Sequence, residues 1–205
     1  MATAEQLQAQ PRNDFRTEKD DNLSDKSYDP KHGSMPVLFV RILVNMILGG
    51  RASGETSTQS VPMAHFRILL VLDDSSNSPL SIELNSVGLV TTTGLTRMHV
   101  ISRNWTHSAG TTRVLAEQDV HFIPGHALPT VDTVLNLLVG NKRHHYMLHA
   151  SGSGCRYWTK VVLQDLIRAG YMAPGSDSIV ATIKDEIAKA NPQILMLADA
   201  EGTFF

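Results

Sequence analysis

The chain contains a single cysteine, and it stands where a glycine–serine loop runs into a helix. Ser151, Gly152, Ser153 and Gly154 lead into Cys155, Arg156, Tyr157 and Trp158, and a helical pattern continues to a closing Gly170. Cys155, Trp158, Val162, Leu166 and Ala169 recur at three- and four-residue spacing, so one face of this helix requires a partner layer and the sulfur looks toward it. The unpaired N–H groups of a first turn, together with the helix dipole, favour an anion at that point. A thiol so placed drops from about 8.5 into the range of about 3.5–7.5 when a histidine or another cation assists. The plainer alternative is a small buried residue in a helix that needed a tight lead-in.

At 205 residues with 42% hydrophobic content, the chain fits one domain with a sizeable core. The formal net charge is -2 with both signs interspersed, which excludes the basic stripe that a nucleic-acid binder needs. One cysteine makes no internal disulfide, as suits a reducing compartment. The polar start at Met1–Gln6 has no apolar core for export, so a cytoplasmic protein is expected. The apolar run over residues 35–48 is too short for a spanning helix and is broken by Arg41 and Asn45. It reads as a core element, with weak association with a membrane surface as the alternative.

Residues 1–34 are rich in charged and small polar groups and are expected to form a disordered tail, leaving residues 35–205 as a single α+β domain. Residues 36–48 lean to a strand. Residues 64–72 and 80–85 flank the turn-rich stretch 73–79 and predict a hairpin with His65 at the start of its first strand. Further strands are expected at 97–102, 112–115, 119–123 and 144–149, mostly antiparallel. Helices are expected at 129–140, at 155–169 and at 178–190, the last marked by Ile179, Ile183 and Ile187.

This order, with a histidine opening a strand, a hairpin, more strands, a helix and then a cysteine opening a helix, resembles the circularly permuted papain-like cysteine enzymes. The likeness is to the lecithin:retinol acyltransferase and small phospholipase/acyltransferase group, with bacterial cell-wall endopeptidases more distant. The segments that carry it are residues 65–70, 81–84 and 131–158, within a span of 64–170. A narrower likeness is to small fungal proteins with His-aromatic-Arg-Ile and Gly-Cys-Arg patterns, here His65-Phe66-Arg67-Ile68 and Gly154-Cys155-Arg156. The group places Asn before the cysteine, where this chain has Gly154; Trp158 keeps its aromatic residue three positions later. The resemblance implies an antiparallel sheet packed on a few helices and catalysis by Cys155 and His65. It puts a third polar residue on the next strand, Glu83 or else Asn85, where the acyltransferases commonly have histidine.

Nucleophilic catalysis by a thiol needs a base in reach and a third group to orient that base. His65 would take and return the proton, and Glu83 or Asn85 would hold its other nitrogen. Arg156, Asn85 and Trp158 are the side chains expected against a small-molecule or acyl substrate. His121, His126, His144, His145 and His149 have no metal-ligand spacing, and neither a phosphate nor a dinucleotide loop occurs, so no metal and no cofactor are expected. The leading expectation is a hydrolase or acyltransferase acting on an amide, ester or thioester. The alternatives are a ligand-binding or scaffold module on the same fold, or a small biosynthetic cyclase or isomerase that moves protons with His65 and Glu83.

Overall fold

The computed structural model describes residues 15, 20–49, 61–88, 94–107, 114–149, 154–194 and 201–205. Six strands form the main sheet: β1 (Leu23–Ser27), β2 (Phe39–Gly49), β3 (Val61–Asp73), β4 (Leu80–Gly88), β5 (Thr96–Arg103) and β6 (Val114–His121). Their order is β1-β5-β4-β3-β2-β6. Every neighbouring pair is antiparallel except β1 with β5. Three helices follow, α1 (Val131–Gly140), α2 (Cys155–Arg168) and α3 (Ile179–Ala190), and two short strands, β7 (Tyr146–Met147) and β8 (Thr203–Phe204), pair with each other. The protein is therefore α+β.

Strand alternation sorts the apolar residues onto two faces. Val40, Ile42 and Val44 of β2, Phe66, Ile68 and Leu70 of β3, Ile82 and Leu84 of β4, and Met98 and Val100 of β5 join the main core. Against them lie Val134, Leu135 and Leu138 of α1, Trp158, Val162 and Leu166 of α2, and Val180, Ile183 and Ile187 of α3. Each such side chain contributes about 1.5–3 kcal/mol by leaving water. On the opposite face Leu43, Leu69 and Val71 form a second cluster with Phe39 and Trp105. This two-sided burial explains why the run over β2 shows no clear period in sequence: central strands covered on both faces read as continuous apolar stretches.

Residues 20–34 do not behave as the expected tail. β1 adds a parallel edge strand beside β5, Tyr28 is buried, and Phe15 packs in the main core. Few as the apolar groups of this segment are, Phe15 and Tyr28 both reach the core and meet edge to face, which offsets ordering that composition alone disfavours. Residues 1–14 and 16–19 lie outside the described residues. Of the two strands expected at 112–115 and 119–123, residues 114–115 and 119–121 belong to one strand, β6, and residues 112 and 113 lie outside the described residues. Ala116, Glu117 and Gln118 of β6 pair with Val44, Leu43 and Ile42. These residues have low strand propensity, and pairing with β2 overrides it. Only Tyr146 and Met147 of the expected strand at 144–149 are in β-structure.

The main sheet opens at one place. β3 and β4 pair from Asp73↔Leu80 to Ile68↔Leu84. Beyond that register β3 runs back beside β2 to Val61↔Gly49, while β4 runs on beside β5 to Gly88↔Thr96. The N-terminus of α2 packs where the two strands part, and α2 contacts both of them.

Candidate active site

Cys155 is the first residue of α2 and is a half-buried free thiol. The residue before it, Gly154, has φ 153°, in the range that L side chains rarely adopt. A Cβ there would lie 2.6 Å from Tyr146 Oη and 2.9 Å from Leu148 Cδ2. Tyr146 Oη donates to the Gly154 carbonyl at 3.0 Å and accepts from the Gly202 N–H at 3.1 Å. The buried Tyr146 therefore anchors the start of α2 and ties it to the C-terminal segment. That crowding is the physical reason a glycine, and no larger residue, precedes the cysteine.

His65 lies on β3 just beyond the last register pair with β4, and its imidazole is hydrogen-bonded to the Cys155 thiol. Its Nε2 meets Asn85 Oδ1 at 2.8 Å, which leaves Nδ1 for the sulfur. Two backbone N–H groups also donate to the sulfur, one from Phe66 on the parted length of β3 and one from Arg156 in the first turn of α2. Burial pushes the Cys155 thiol up, but the hydrogen bond and charge of His65 together with the two N–H groups outweigh it, and the thiol lies below its ordinary value. Burial likewise pushes His65 down, and Cys155 and Asn85 outweigh that, so the imidazole is more basic than usual although Arg67 opposes it. Each partner thus favours the charged form of the other, as in a thiolate–imidazolium pair.

Asn85, expected against substrate, is the side chain on the ring nitrogen. Glu83 does not touch His65. It is 1% exposed and accepts from Arg67 Nη1 at 2.9 Å, Arg103 Nε at 2.8 Å and Asn85 Nδ2 at 3.3 Å. Arg67 also donates to Asn45 Oδ1. Trp158 is not at a substrate surface: it is 1% exposed within the core, and its indole N–H donates to the Arg143 carbonyl at 2.8 Å. Arg156 is half-buried, and its backbone N–H is directed at the sulfur. The sequence carried no signal for the anchoring role of Tyr146, which depends on contacts eight and 56 residues away.

Among the described residues, Asp20, His144 and His145 each bring a metal-ligating atom within 4.8 Å of the others. His145 Nε2 is hydrogen-bonded to Asp20, and His144 Nε2 lies 3.6 Å from the same carboxylate. No helix among the described residues is long and apolar enough to cross a membrane. The apolar run at residues 35–48 supplies β2 instead.

Fold and site together define an α+β protein in which a cysteine at a helix N-terminus, a strand histidine and an asparagine are joined by successive hydrogen bonds. The chain belongs to the family described as Domain of unknown function (DUF7770), which it matches over residues 46–205. That span includes His65, Asn85 and Cys155. No curated protein and no solved structure matches the chain.

Proposed function

We propose that this protein is a cysteine-dependent acyl enzyme, a hydrolase or acyltransferase acting on an amide, ester or thioester, on a permuted papain-like arrangement. The observation that carries the reading is the chain Cys155–His65–Asn85, with two backbone N–H groups on the sulfur. The chain order, histidine strand before cysteine helix, agrees with the lecithin:retinol acyltransferase group, and Asn85 takes the third place on the strand that follows. A single free thiol suits a reducing compartment such as the cytoplasm.

In the proposed reaction the Cys155 thiolate attacks the substrate carbonyl carbon, and the C=O π pair moves onto oxygen. The backbone N–H of Cys155 and a neighbouring donor stabilise that oxyanion, a contribution of about 3–4 kcal/mol per donor. The His65 imidazolium gives its proton to the leaving nitrogen, oxygen or sulfur as the tetrahedral species collapses to a thioester. Neutral His65 then takes a proton from water or from an acceptor amine or alcohol as it attacks the thioester, and the thiolate leaves. Asn85 Oδ1 accepts from Nε2–H throughout and keeps Nδ1 turned to the sulfur. A cyclase or isomerase that moves substrate protons with His65 and Glu83 in the same cleft is less well supported, because Glu83 is held by two arginines.

The test is the pH dependence of Cys155 alkylation by iodoacetamide in the wild type and in His65→Ala. The expected result is a thiol that reacts as thiolate well below pH 8 and returns to an ordinary titration in the variant. A wild-type thiol that titrates ordinarily, indifferent to His65, would sink the acyl-enzyme reading and leave a ligand-binding module.

A further inference from the structure

We infer that Glu83 is a positioning residue for the Cys155–His65 pair: it fixes which end of the Asn85 amide faces the imidazole and screens the ring from the arginines behind it. This rests on the acyl-enzyme reading. An ionised carboxylate only accepts hydrogen bonds, whereas an amide has a donating and an accepting end of nearly equal shape. Glu83 Oε1 lies 3.3 Å from Asn85 Nδ2, so the amide must turn its NH₂ toward Glu83 and its oxygen toward His65. With oxygen on Nε2, that nitrogen carries the proton and Nδ1 is the basic atom facing sulfur. A flipped amide would present NH₂ to Nε2, place the ring proton on Nδ1 and remove the acceptor that favours imidazolium.

The second part is charge. His65 faces Cys155 from α2, Asn85 from β4, Asn45 from β2 in register across from it, and Arg67 two residues along its own strand, and Glu83 reaches it through Asn85 and Arg67. On β5, His99 stands in register with Asn85, and Arg103, in register with Ser81, is ion-paired to Glu83. Arg67 disfavours the imidazolium, and Glu83 is ion-paired to Arg67 and Arg103 at once. Buried between them, its carboxylate compensates cations that would otherwise act on His65 through a poorly screening interior.

The experiment follows the ¹⁵N ring shifts of His65 across pH in the full-length protein, alongside Cys155 alkylation. In Glu83→Gln the loss of the imidazolium proton is expected about one pH unit lower than in the wild type, with slower alkylation at neutral pH. In Arg67→Gln the same transition is expected to move upward, and this variant decides the matter if Glu83→Gln does not fold. The double variant Glu83→Gln/Arg67→Gln is expected near the wild-type value, a rescue that a merely structural role would not produce. A wild type with a low-pH thiolate whose His65 transition is unmoved in Glu83→Gln, or in Arg67→Gln where the former does not fold, overturns the positioning role alone. An ordinary thiol in the wild type overturns the acyl-enzyme reading and this inference with it.

Discussion

At the residue scale the meeting of Cys155 and His65 was legible because their residue types are placed distinctively in this chain. There is one cysteine, it opens a helix, and a histidine opens a strand upstream. Which strand residue serves that histidine was not legible. Glu83 and Asn85 are two apart, so the period of a strand puts both on one face, and only the parting of β3 from β4 decides that Asn85 reaches the ring. Gly154 was visible as a departure from the papain-like pattern, but its reason is the Tyr146 hydroxyl packed against it. Gly154→Ala is expected to destabilise the protein by about 2–3 kcal/mol, from the unfavourable φ and from displacement of that hydroxyl. Urea unfolding measures it, and a loss under about 0.5 kcal/mol would show that the start of α2 relaxes freely. Because the shift of Gly154 carries the first turn with it, the Arg156 N–H should also move off the sulfur and neutral-pH alkylation should slow.

At the element scale the long apolar and helical runs were readable, and β2, β3, β4, α1, α2 and α3 fall where their patterns put them. Pairing that depends on distant partners was not. β1 has no apolar period, and its place is set from outside: Met98 N–H donates to the Asn22 carbonyl at 2.8 Å, and Asp29 N–H donates to Ser102 Oγ at 2.9 Å. Phe15 adds the apolar part. It is 1% exposed, meets Tyr28 at 5.7 Å between ring centroids, and its N–H donates to Asn136 Oδ1 on α1 at 2.7 Å. Phe15→Ala is expected to cost about 3–4 kcal/mol, in line with other buried aromatic truncations. Hydrogen exchange would locate the loss first at the amides of β1 and its β5 partner. If stability and exchange were both unchanged, the N-terminal segment would have to be dispensable to the core.

At the scale of the whole molecule, two carboxylates fasten peripheral segments to the body, and their pH dependence has a definite sign. Burial raises Asp20, but the Asn22 N–H and the two histidines outweigh it, and its carboxyl lies below the usual value of 3.8. Burial also raises Asp74, in the β3–β4 turn, and the Thr106 hydroxyl, Arg41 and His107 outweigh it in the same direction. A carboxyl that is more acidic when folded contributes stability that is present above its unfolded value and lost as pH falls through the folded one. Both contributions therefore stand at neutral pH and are lost progressively as pH falls below 3.8 through the lowered folded values. The side chains keep 20% and 33% of their exposure, so solvent screening limits each to about 0.5–1 kcal/mol. The double variant Asp20→Asn/Asp74→Asn should accordingly be less stable than the wild type by about 1–2 kcal/mol at pH 7, with the two unfolding curves converging as pH falls below 3.8 through the lowered folded values. Raising the salt concentration to about 1 M at pH 7 should narrow the gap, since partly exposed pairs are screened over about 3 Å. A gap that stayed constant from pH 7 down through the acid transition would mean that the two aspartates act through shape and neutral hydrogen bonding, and that the interactions joining Asp20 to His145 and Asp74 to Arg41 contribute no electrostatic stability to holding these segments in place.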